Sequence, residues 1–529
     1  MDKGIRHSDP ACGGAEAPAL IAPPRPALFW GGVAILLVLA VACRLYPIFA
    51  THVVTSDSAH YYLPIAETIA QGHPLPPRHV QVPILFSQIT GCLARLTGDV
   101  ELAAKLVSLA GTLLLCVSIF LLAGRLFGPY AAFAALALVA FNPYGCEQGT
   151  ETNLDGLALG WFGAVAFLTA AYLLRPRLWR ALALGAVLGL MALTRPEGAV
   201  YALLVTALVA LFPVEGPLRL NGRRLAHALA ALALAVCLCL PRLCQVHRQI
   251  GWWVIDTRQV TEPAALWQKI AGGPARADEA AEPPTEKSKR GISQRFEWFV
   301  GAFGPGSLLF GVYGICCRRR RLRIEWAPAA LIAAGLVVVA VGPGATRRYF
   351  LPMSALWQLW AAVGLIGLLQ WLVARLAARR RPGWKEFAGP PLLLAAAAVI
   401  SIAPVLWFVG RIDRGEQAVE RAAGQWLLAQ YGRGQPILSS GATVVWYARG
   451  EWVNLPDKQS GTSEWTVAAL AEYARARQAQ FLILDGAVEA RFPEVARELR
   501  KGAQPFGRIV HETGEGRDRI AVVELSPGG

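Results

Sequence analysis

The chain has 529 residues, of which 55% are hydrophobic and only 16% are charged, whereas soluble domains carry about 25% charged residues. This composition and a mean hydropathy of +0.41 exclude a single large soluble core and predict a polytopic membrane protein. The net charge of +15 does not indicate a nucleic-acid partner, because the basic residues cluster in short loops between apolar runs, as the positive-inside rule predicts.

The apolar runs predict an α-helical membrane domain over residues 27–410, preceded by a polar tail over 1–26. Spanning a bilayer takes about 20 apolar residues, and about eleven runs approach that length. The polar tail is too long for the first part of a signal peptide, so the first run is interpreted as a retained helix. The candidate spans lie near residues 27–48, 101–123, 129–143, 154–174, 181–194, 198–213, 225–241, 297–316, 326–343, 349–373 and 389–409.

The arginine-rich connections predict the side of the membrane on which each loop lies. If the N-terminus is cytoplasmic, nearly every dense Arg cluster falls on the inner side, as the positive-inside rule requires. These clusters include RPRLWR (175–180), CCRRRRLR (316–323) and ARLAARRRPGWK (374–385). The sequence therefore predicts a multi-pass protein with a cytoplasmic N-terminus.

Three longer segments then lie on the outer side: loop 49–100, loop 242–296 and the tail 411–529. Loop 242–296 carries many Lys and Arg, but long loops cross a membrane largely regardless of their charge. Helical and strand patterns mix in the tail, which predicts a small C-terminal α/β extracytoplasmic domain. Its predicted helices are RAAGQWLLAQY (421–431) and SEWTVAALAEYARARQ (463–478), and its predicted strands are QPILSS (435–440), TVVWYA (443–448), QFLILD (480–485), GRIVHET (507–513) and RIAVVEL (519–525).

The first outer loop begins with TSDSAHYYLP (55–64), in which Asp57 follows the first apolar run. An ionisable residue inside a span costs roughly 2.5–3.5 kcal/mol on insertion scales, so such residues are functional candidates where they gather. His60, Tyr61 and Tyr62 follow within about one helical turn and can share a surface with Asp57. Alternatively, Asp57 is a charge in the headgroup zone and the tyrosines belong to an interfacial aromatic belt.

Two further outer segments carry acids. In TETNLDGL (150–157), Glu151 and Asp155 are four residues apart, so on a helix they share one face. They repel unless a cation, a metal or substrate hydroxyls lie between them, and a divalent metal is the one cofactor that the sequence suggests. The alternative is a pair of acids favoured by the helix dipole. In LTRPEG (193–198), Arg195 and Glu197 form either a self-neutralising turn pair or a site where Arg195 meets an anion.

The motif GATRRYFLP (344–352) places Arg347 and Arg348 on the outer side, against the positive-inside bias. Two arginines at a helix start also oppose the helix dipole. Both penalties vanish if an anion binds there, and the planar guanidinium forms paired hydrogen bonds with phosphate. The alternative is that one of these two arginines extends its side chain to the lipid headgroups. The sequence thus indicates a phosphate-bearing ligand.

The motifs SDSAHYYLPIAETIAQGHPL, TETNLDGLALGWF, ALTRPEG and RRYFLPMSALWQL resemble those of GT-C superfamily glycosyltransferases over roughly residues 27–370. Among these, the bacterial relatives of protein O-mannosyltransferases and of the lipid A aminoarabinose transferase are similar. The resemblance implies a bacterial inner-membrane enzyme that moves a sugar from a polyprenyl-phosphate donor to a hydroxyl of a lipid, glycan or protein acceptor, usually with inversion. Membrane lipids are its other expected partners, and nucleic acid is not expected.

The resemblance also implies roles for individual residues. Asp57 would be the general base, and Asp155, with Glu151, would position the acceptor or a metal. Arg347, Arg348 and Tyr349 would hold the donor phosphate, with Arg195 as a further contact. The chain departs from the family at Ser58, where a second acid is common, and around His79 and Gln81, where some relatives place a Lys; His79 is a further pocket candidate.

Two other function classes compete with this prediction. A transporter or flippase of lipid-linked saccharides should show an internal repeat and interrupted helices near the midplane, and the sequence shows no repeat. A non-catalytic scaffold would use its outer tail to bind a partner. A glycosyl transfer from a lipid phosphate needs no nucleotide site, and the chain contains no GxGxxG after a strand and no Walker loop.

Overall fold

The structure, a computed structural model, is mostly helical in the part of the chain that it describes. It describes residues 26–50, 53–75, 82–212, 221–255, 284–316, 323–341, 347–379, 390–409, 415–455, 466–501, 506–516 and 519–526.

The first half of the chain forms ten α-helices and one π-helical turn within these ranges. The π-helical turn, Ser58–Tyr62, runs directly into the second α-helix. The α-helices are α1 (Pro26–Ala50), α2 (Leu63–Ala70), α3 (Leu85–Thr97), α4 (Val100–Phe127), α5 (Pro129–Ala140), α6 (Pro143–Gln148), α7 (Asp155–Leu174), α8 (Leu178–Thr194), α9 (Gly198–Leu211) and α10 (Gly222–Ile250).

The second half of the membrane domain contains five more helices among the described residues. They are α11 (Pro284–Phe303), α12 (Pro305–Cys316), α13 (Trp326–Val341), α14 (Leu351–Arg379) and α15 (Pro390–Val409). Short 3-10 turns at Arg323–Glu325 and Arg347–Phe350 precede α13 and α14. The second of these turns carries the arginine motif.

Each predicted apolar run coincides with a described helix, with one correction. The run 297–316 is not one straight span: α11 and α12 meet at an angle of 72°. Gly304 has a φ of +76° and is followed by Pro305, which has no N–H to continue the helix. Five described helices are long and apolar enough to cross a membrane, or six if the bent pair is one span. The count of about eleven spans stays a prediction.

Close helix packing fixes the start of α7 against the middle of α4. A Cβ on Gly111 would lie 2.3 Å from the carbonyl oxygen of Gly156, and a Cβ on Gly160 would lie 2.4 Å from the carbonyl oxygen of Gly111. The absence of side chains at these positions lets the two backbones touch, which is a common way for membrane helices to pack. This contact holds Asp155, the first residue of α7, in place.

Arg44 and Lys105 are the most deeply buried cationic side chains among the described residues of the membrane domain. Arg44 is 1% exposed, and its Nη1 donates to the carbonyl oxygens of Ala40 and Ala140, each at 2.9 Å. The guanidinium therefore ties α1 to the end of α5. Lys105 is also 1% exposed and donates to Glu101 at 2.7 Å. Lys105 thus has a carboxylate partner, whereas Arg44 is held by carbonyl oxygens and its buried Nε has no acceptor among the described residues.

The C-terminal part folds into helices on a five-stranded sheet of order β2-β1-β3-β5-β4. Strand β1 pairs in parallel with β2 and β3, and β5 pairs in antiparallel with β3 and β4. The elements are α16 (Gly415–Tyr431), β1 (Pro436–Ser439), α17 (Thr443–Ala448), β2 (Glu451–Asn454), α18 (Val467–Ala476), β3 (Phe481–Leu484), α19 (Gly486–Arg491), α20 (Pro493–Arg500), β4 (Gly507–Thr513) and β5 (Ile520–Leu525).

The prediction of a strand at TVVWYA is wrong, because residues Thr443–Ala448 form α17. Because β1 and β2 pair in parallel, the segment that connects them must cross back to the end of the sheet at which β1 begins. Helix α17 makes that return, and its Val444 and Val445 are buried in one cluster with Ala423 and Leu427 of α16. The other predicted strands and both predicted helices match observed elements, although the helix at 463–478 is described only from residue 466.

The C-terminal domain contacts the predicted outer loop directly. The Ala442 N–H donates to Ser56 Oγ at 3.3 Å, and Tyr447 donates to Glu101 at 3.3 Å. Burial, and then the Glu101 carboxylate, raise the pKa of Tyr447, so this phenol stays a donor. The residue before Asp57 is therefore held by the domain at the other end of the chain.

Candidate active site

Four segments that are far apart in sequence bring their charged side chains together at one end of the helix bundle. Arg348 donates from Nη1 to Asp57 Oδ2 at 3.1 Å, and the same nitrogen lies 3.7 Å from Asp155 Oδ2. Arg195 Nη1 lies 3.0 Å from Asp155 Oδ1, and its Nε lies 3.6 Å from Glu197 Oε2. We call these five residues the charge cluster.

Each member lies at an interruption or an end of a helix. Asp57 precedes the π-helical turn, and Asp155 begins α7. Arg195 and Glu197 occupy the turn between α8 and α9, where the Gly198 N–H donates to the Arg195 carbonyl oxygen at 2.9 Å. Arg348 lies in the 3-10 turn before α14. Helix ends place charged groups beside the bundle core without the cost of a charge within a span.

The cluster is graded in exposure from its buried to its open side. The Asp155 and Arg195 side chains are 4% and 14% exposed, whereas those of Arg348 and Asp57 are 37% and 55% exposed. Burial opposes the charge on Arg195, but the Asp155 and Glu197 carboxylates more than offset it, so the pKa of Arg195 is raised. The buried pair, Asp155 and Arg195, therefore stabilises the fold, and the exposed pair, Asp57 and Arg348, is accessible to a ligand.

Tyr349 contacts both arginines of the cluster through its ring. Its centroid lies 4.8 Å from the Arg195 guanidinium carbon and 5.8 Å from that of Arg348, within the range of a cation–π interaction. A small cavity of about 40 Å³ lies beside these groups. Apolar side chains, including Phe162 and Val339, form its wall on the bundle side. The cavity is thus lined by the charged side chains of Arg195 and Arg348 and by apolar side chains of the helix bundle.

Arg347 points to a different partner. Its Nη2 donates to Glu147 Oε2 at 3.0 Å, and its guanidinium carbon lies 3.3 Å from the centroid of the Tyr144 ring. The sequence singled out neither Glu147 nor Tyr144. The segment NPYGCEQ (142–148) contains a capping Asn and a Pro, which signal a helix start, but no spacing in it indicates a contact with residue 347.

The prediction that Glu151 and Asp155 share a helix face is wrong. Helix α7 begins at Asp155, and residues 151–154 precede it in a bent segment. Asn153 Oδ1 accepts from the Asp155 N–H at 3.0 Å, and Asn153 Nδ2 donates to Glu151 Oε2 at 2.5 Å. Local side-chain bonds of this kind compete with helical geometry. Glu151 thus belongs to a network with Asn153 and Gln148, and Asn153 links this network to the backbone of Asp155.

The predicted pocket residues His60, Tyr61 and Tyr62, which follow Asp57, have different surroundings. Tyr62 is buried, and its ring packs edge-on against Phe86 at 5.8 Å between centroids, so it contributes to the core. The His60 ring lies 4.0 Å from the Trp452 ring of the C-terminal domain and 3.9 Å from that of Tyr61. His79 lies outside the described residues.

Comparisons with known proteins agree with this architecture. The family model described as dolichyl-phosphate-mannose-protein mannosyltransferase matches residues 81–243, and a search of curated protein sequences gives no match. The solved structure of ArnT from Cupriavidus metallidurans in the apo state is similar with a TM-score of 0.60 and 16% identity over 95% of this chain and 98% of that chain. The chain has the GT-C fold.

Two more solved structures share the GT-C fold with this chain. The Archaeoglobus fulgidus oligosaccharyltransferase, in complex with Zn and sulfate, is similar with a TM-score of 0.59 and 14% identity over 87% of this chain and 68% of that chain. C. metallidurans ArnT bound to undecaprenyl phosphate gives a TM-score of 0.58 and 15% identity over 94% and 97% of the two chains. The predicted resemblance to GT-C glycosyltransferases is confirmed.

The residues of this GT-C fold do not fit a resident metal ion in the part of the chain that is described. No three His, Cys, Asp or Glu side chains there gather as metal ligands. Two acids of the cluster, Asp57 and Asp155, both lie within 4 Å of the same Arg348 nitrogen, at 3.1 and 3.7 Å. A guanidinium therefore already occupies the position between carboxylates that a divalent cation would take.

Proposed function

We propose that the protein is a membrane glycosyltransferase that moves a sugar from a polyprenyl-phosphate donor to an acceptor hydroxyl. The observation that carries the proposal is the contact of Arg348 with both Asp57 and Asp155. It puts a guanidinium suited to phosphate within hydrogen-bond distance of an exposed carboxylate suited to proton abstraction. The fold, the partial family match and the lipid-bound ArnT structure support this assignment.

The proposed reaction forms one bond and breaks one bond at the anomeric carbon. The acceptor oxygen attacks that carbon from the side opposite the phosphate, the bond from carbon to phosphate oxygen breaks, and the polyprenyl phosphate leaves. Asp57 takes the hydroxyl proton as the new bond forms, which such bases accelerate by about 10²–10⁴-fold. Arg348 stabilises the charge that grows on the phosphate.

The remaining cluster residues hold these groups in place. Asp155 and Glu197 orient Arg195, and Tyr349 packs against both arginines. Arg347 is a more distant phosphate contact, because Glu147 and Tyr144 already engage it. The acceptor is a lipid, a glycan or a protein, and the reaction takes place on the outer face of a bacterial inner membrane. No step requires a metal ion, because guanidinium groups neutralise the phosphate.

A binding experiment tests the donor site. Undecaprenyl phosphate is titrated into the detergent-purified wild type and into the Arg348→Ala and Arg347→Ala variants. A hydrogen bond to a charged group contributes about 1.5–3 kcal/mol, so Arg348→Ala should weaken binding by at least about tenfold. Arg347→Ala should weaken it less. Unchanged affinity in the Arg348→Ala variant would contradict the phosphate role.

A second experiment tests the reaction. Envelope glycolipids and glycoproteins from a deletion strain, and from the strain complemented with wild type or Asp57→Asn, are compared by mass spectrometry. We expect one glycoconjugate to lose a sugar residue on deletion and to regain it only with the wild type. A flippase would instead leave the sugar on its lipid carrier, and a scaffold would tolerate Asp57→Asn.

A further inference from the structure

A cleft of about 660 Å³ separates the segment that follows Asp57 from the C-terminal domain. His60, Tyr61 and Glu67 line it on the membrane-domain side, and Trp446, Arg449 and Trp452 line it on the other. We call it the interface cleft. Its volume falls in the range of about 300–1,000 Å³ that is typical of small-molecule sites, and it is separate from the cavity beside the arginines.

We infer that the interface cleft binds the saccharide part of the acceptor, and that this saccharide is neutral or amino-bearing rather than phosphorylated. The inference rests on the proposed glycosyltransferase function and adds the class of acceptor. Its support comes from three features of the cleft: oriented aromatic rings, a wall without excess positive charge, and contact with the segment that carries Asp57.

The aromatic side chains of the cleft are held in fixed orientations. Trp452 Nε1 donates to the Ser439 carbonyl oxygen at 3.1 Å, and the His60 ring packs edge-on against the Trp452 ring. The Arg449 guanidinium carbon lies 4.7 Å from the Trp446 ring centroid. Both tryptophans are partly exposed. Fixed aromatic faces bind the C–H faces of sugar rings well, because little conformational entropy is lost on binding.

The charges of the cleft favour hydroxyl or amino groups as ligands. Arg449 Nη1 donates to both carboxylate oxygens of Glu67, at 2.8 and 2.9 Å. Glu451 adds a further carboxylate to the lining, so the described wall has no excess of guanidinium groups. A phosphorylated saccharide would meet unfavourable carboxylates there. A polyol or an amino sugar would find both hydrogen-bond donors and acceptors.

The cleft adjoins the proposed base. His60 and Tyr61 follow Asp57 by three and four residues, which corresponds to roughly 5–6 Å along a helix axis. They lie in the π-helical turn Ser58–Tyr62, and π-helical turns are frequent at functional sites. Arg348 contacts Asp57 from the other direction. Asp57 therefore lies between the arginines that would hold the donor and the cleft that would hold the acceptor.

The test measures saccharide binding to the full-length protein in detergent. The probes are chitotetraose, a glucosamine tetramer, maltotetraose, a glucosamine disaccharide with one phosphate, and a Ser/Thr-rich decapeptide. The variants are Trp446→Ala, Trp452→Ala and Trp452→Phe, and Trp252→Ala serves as control because Trp252 is 59% exposed and does not line the cleft. Undecaprenyl phosphate binding is measured in parallel.

We expect at least one neutral or amino saccharide to bind, and each Trp→Ala substitution in the cleft to weaken it by about tenfold or more. Trp452→Phe, which retains an aromatic face, should recover most of the affinity, and Trp252→Ala should not change it. If Trp452→Ala does not fold, Trp446→Ala and Trp452→Phe decide the outcome. Undecaprenyl phosphate should bind all folded cleft variants as it binds the wild type.

Three results would overturn the inference: no saccharide binds, the cleft variants bind it normally, or the phosphorylated disaccharide or the peptide binds best. These outcomes are distinct from failure of the proposed function. If undecaprenyl phosphate binding still depends on Arg348, only the assignment of the cleft is wrong. If it does not depend on Arg348, the donor site itself is wrong.

Discussion

The two acids that share Arg348 should respond differently to removal of their charge: one substitution should lower the rate of sugar transfer, and the other should lower the stability of the fold. Asp57 and Asp155 both lie within 4 Å of the same guanidinium nitrogen, at 3.1 and 3.7 Å. Their side chains differ in exposure, at 55% and 4%. Substitution of each by Asn keeps the shape and removes only the charge, so the pair Asp57→Asn and Asp155→Asn separates catalytic from structural effects.

The magnitudes follow from this difference in exposure. A solvent-exposed ion pair contributes about 0–1 kcal/mol, so Asp57→Asn should change the free energy of unfolding by less than about 1 kcal/mol. Asp155→Asn instead leaves the largely buried Arg195 with Glu197 alone. Breaking a buried pair on one side costs about 3–5 kcal/mol. Loss of a general base should slow transfer by about 10²–10⁴-fold in Asp57→Asn.

The assay combines thermal unfolding of the purified variants in detergent with the rate of sugar transfer in membranes. Asp57→Asn should unfold near the wild-type temperature, bind undecaprenyl phosphate and transfer almost no sugar. Asp155→Asn should unfold at a clearly lower temperature. Normal transfer by Asp57→Asn would refute its role as base. Equal destabilisation by both substitutions would refute the assignment of Asp155 and Arg195 as the structural pair.

Three further outcomes are expected. Gly111→Ala should destabilise the protein by about 1–3 kcal/mol, because its Cβ would meet the α7 backbone. The control Gly124→Ala should not destabilise it, because the Cβ would lie 3.5 Å from its nearest neighbour. Thermal unfolding of both variants tests this prediction. EDTA should leave the transfer rate unchanged, and a loss restored by Mg²⁺ would contradict the metal-free proposal. A reporter enzyme fused after Gly529 should be active only outside the cytoplasm; cytoplasmic activity would reverse the predicted orientation.

The order of apolar runs carried most of the information about the helices. Every run in the list of candidate spans corresponds to a helix or to a bent pair, because burial in lipid requires long uninterrupted apolar segments. The bend at Gly304 and Pro305 was missed, because the run 297–316 was treated as one span although Gly-Pro dipeptides mark turns. The error at TVVWYA arose because β-branched and aromatic residues fit a buried helix face as well as a strand when tertiary contacts supply the burial.

The members of the charge cluster could be named from the sequence, but most of their pairings could not. Asp57, Asp155, Arg195, Glu197 and Arg348 each stood out as charges at helix ends. That Arg348, rather than Arg347, meets the acids depends on the 3-10 turn before α14, which no spacing rule predicts.

Other neighbours gave weaker signals still. Glu147, Trp452 and Arg449 lie in segments whose composition is ordinary, and they matter only through contacts with distant parts of the chain. Glu151 was misplaced because α7 begins only at Asp155, whose N–H donates to Asn153 Oδ1, and side-chain bonds of this kind are not evident from spacing.

The ion pair between Arg348 and Asp57 has a kinetic consequence. In the free protein the carboxylate is engaged, and a phosphate that draws Arg348 toward itself would release it. We therefore expect an obligatory sequence in which the lipid carrier is loaded first and the hydroxyl substrate second. An unreactive acceptor analogue should then inhibit uncompetitively with respect to the donor, and tight association of that analogue with the carrier-free protein would show that either substrate can enter first.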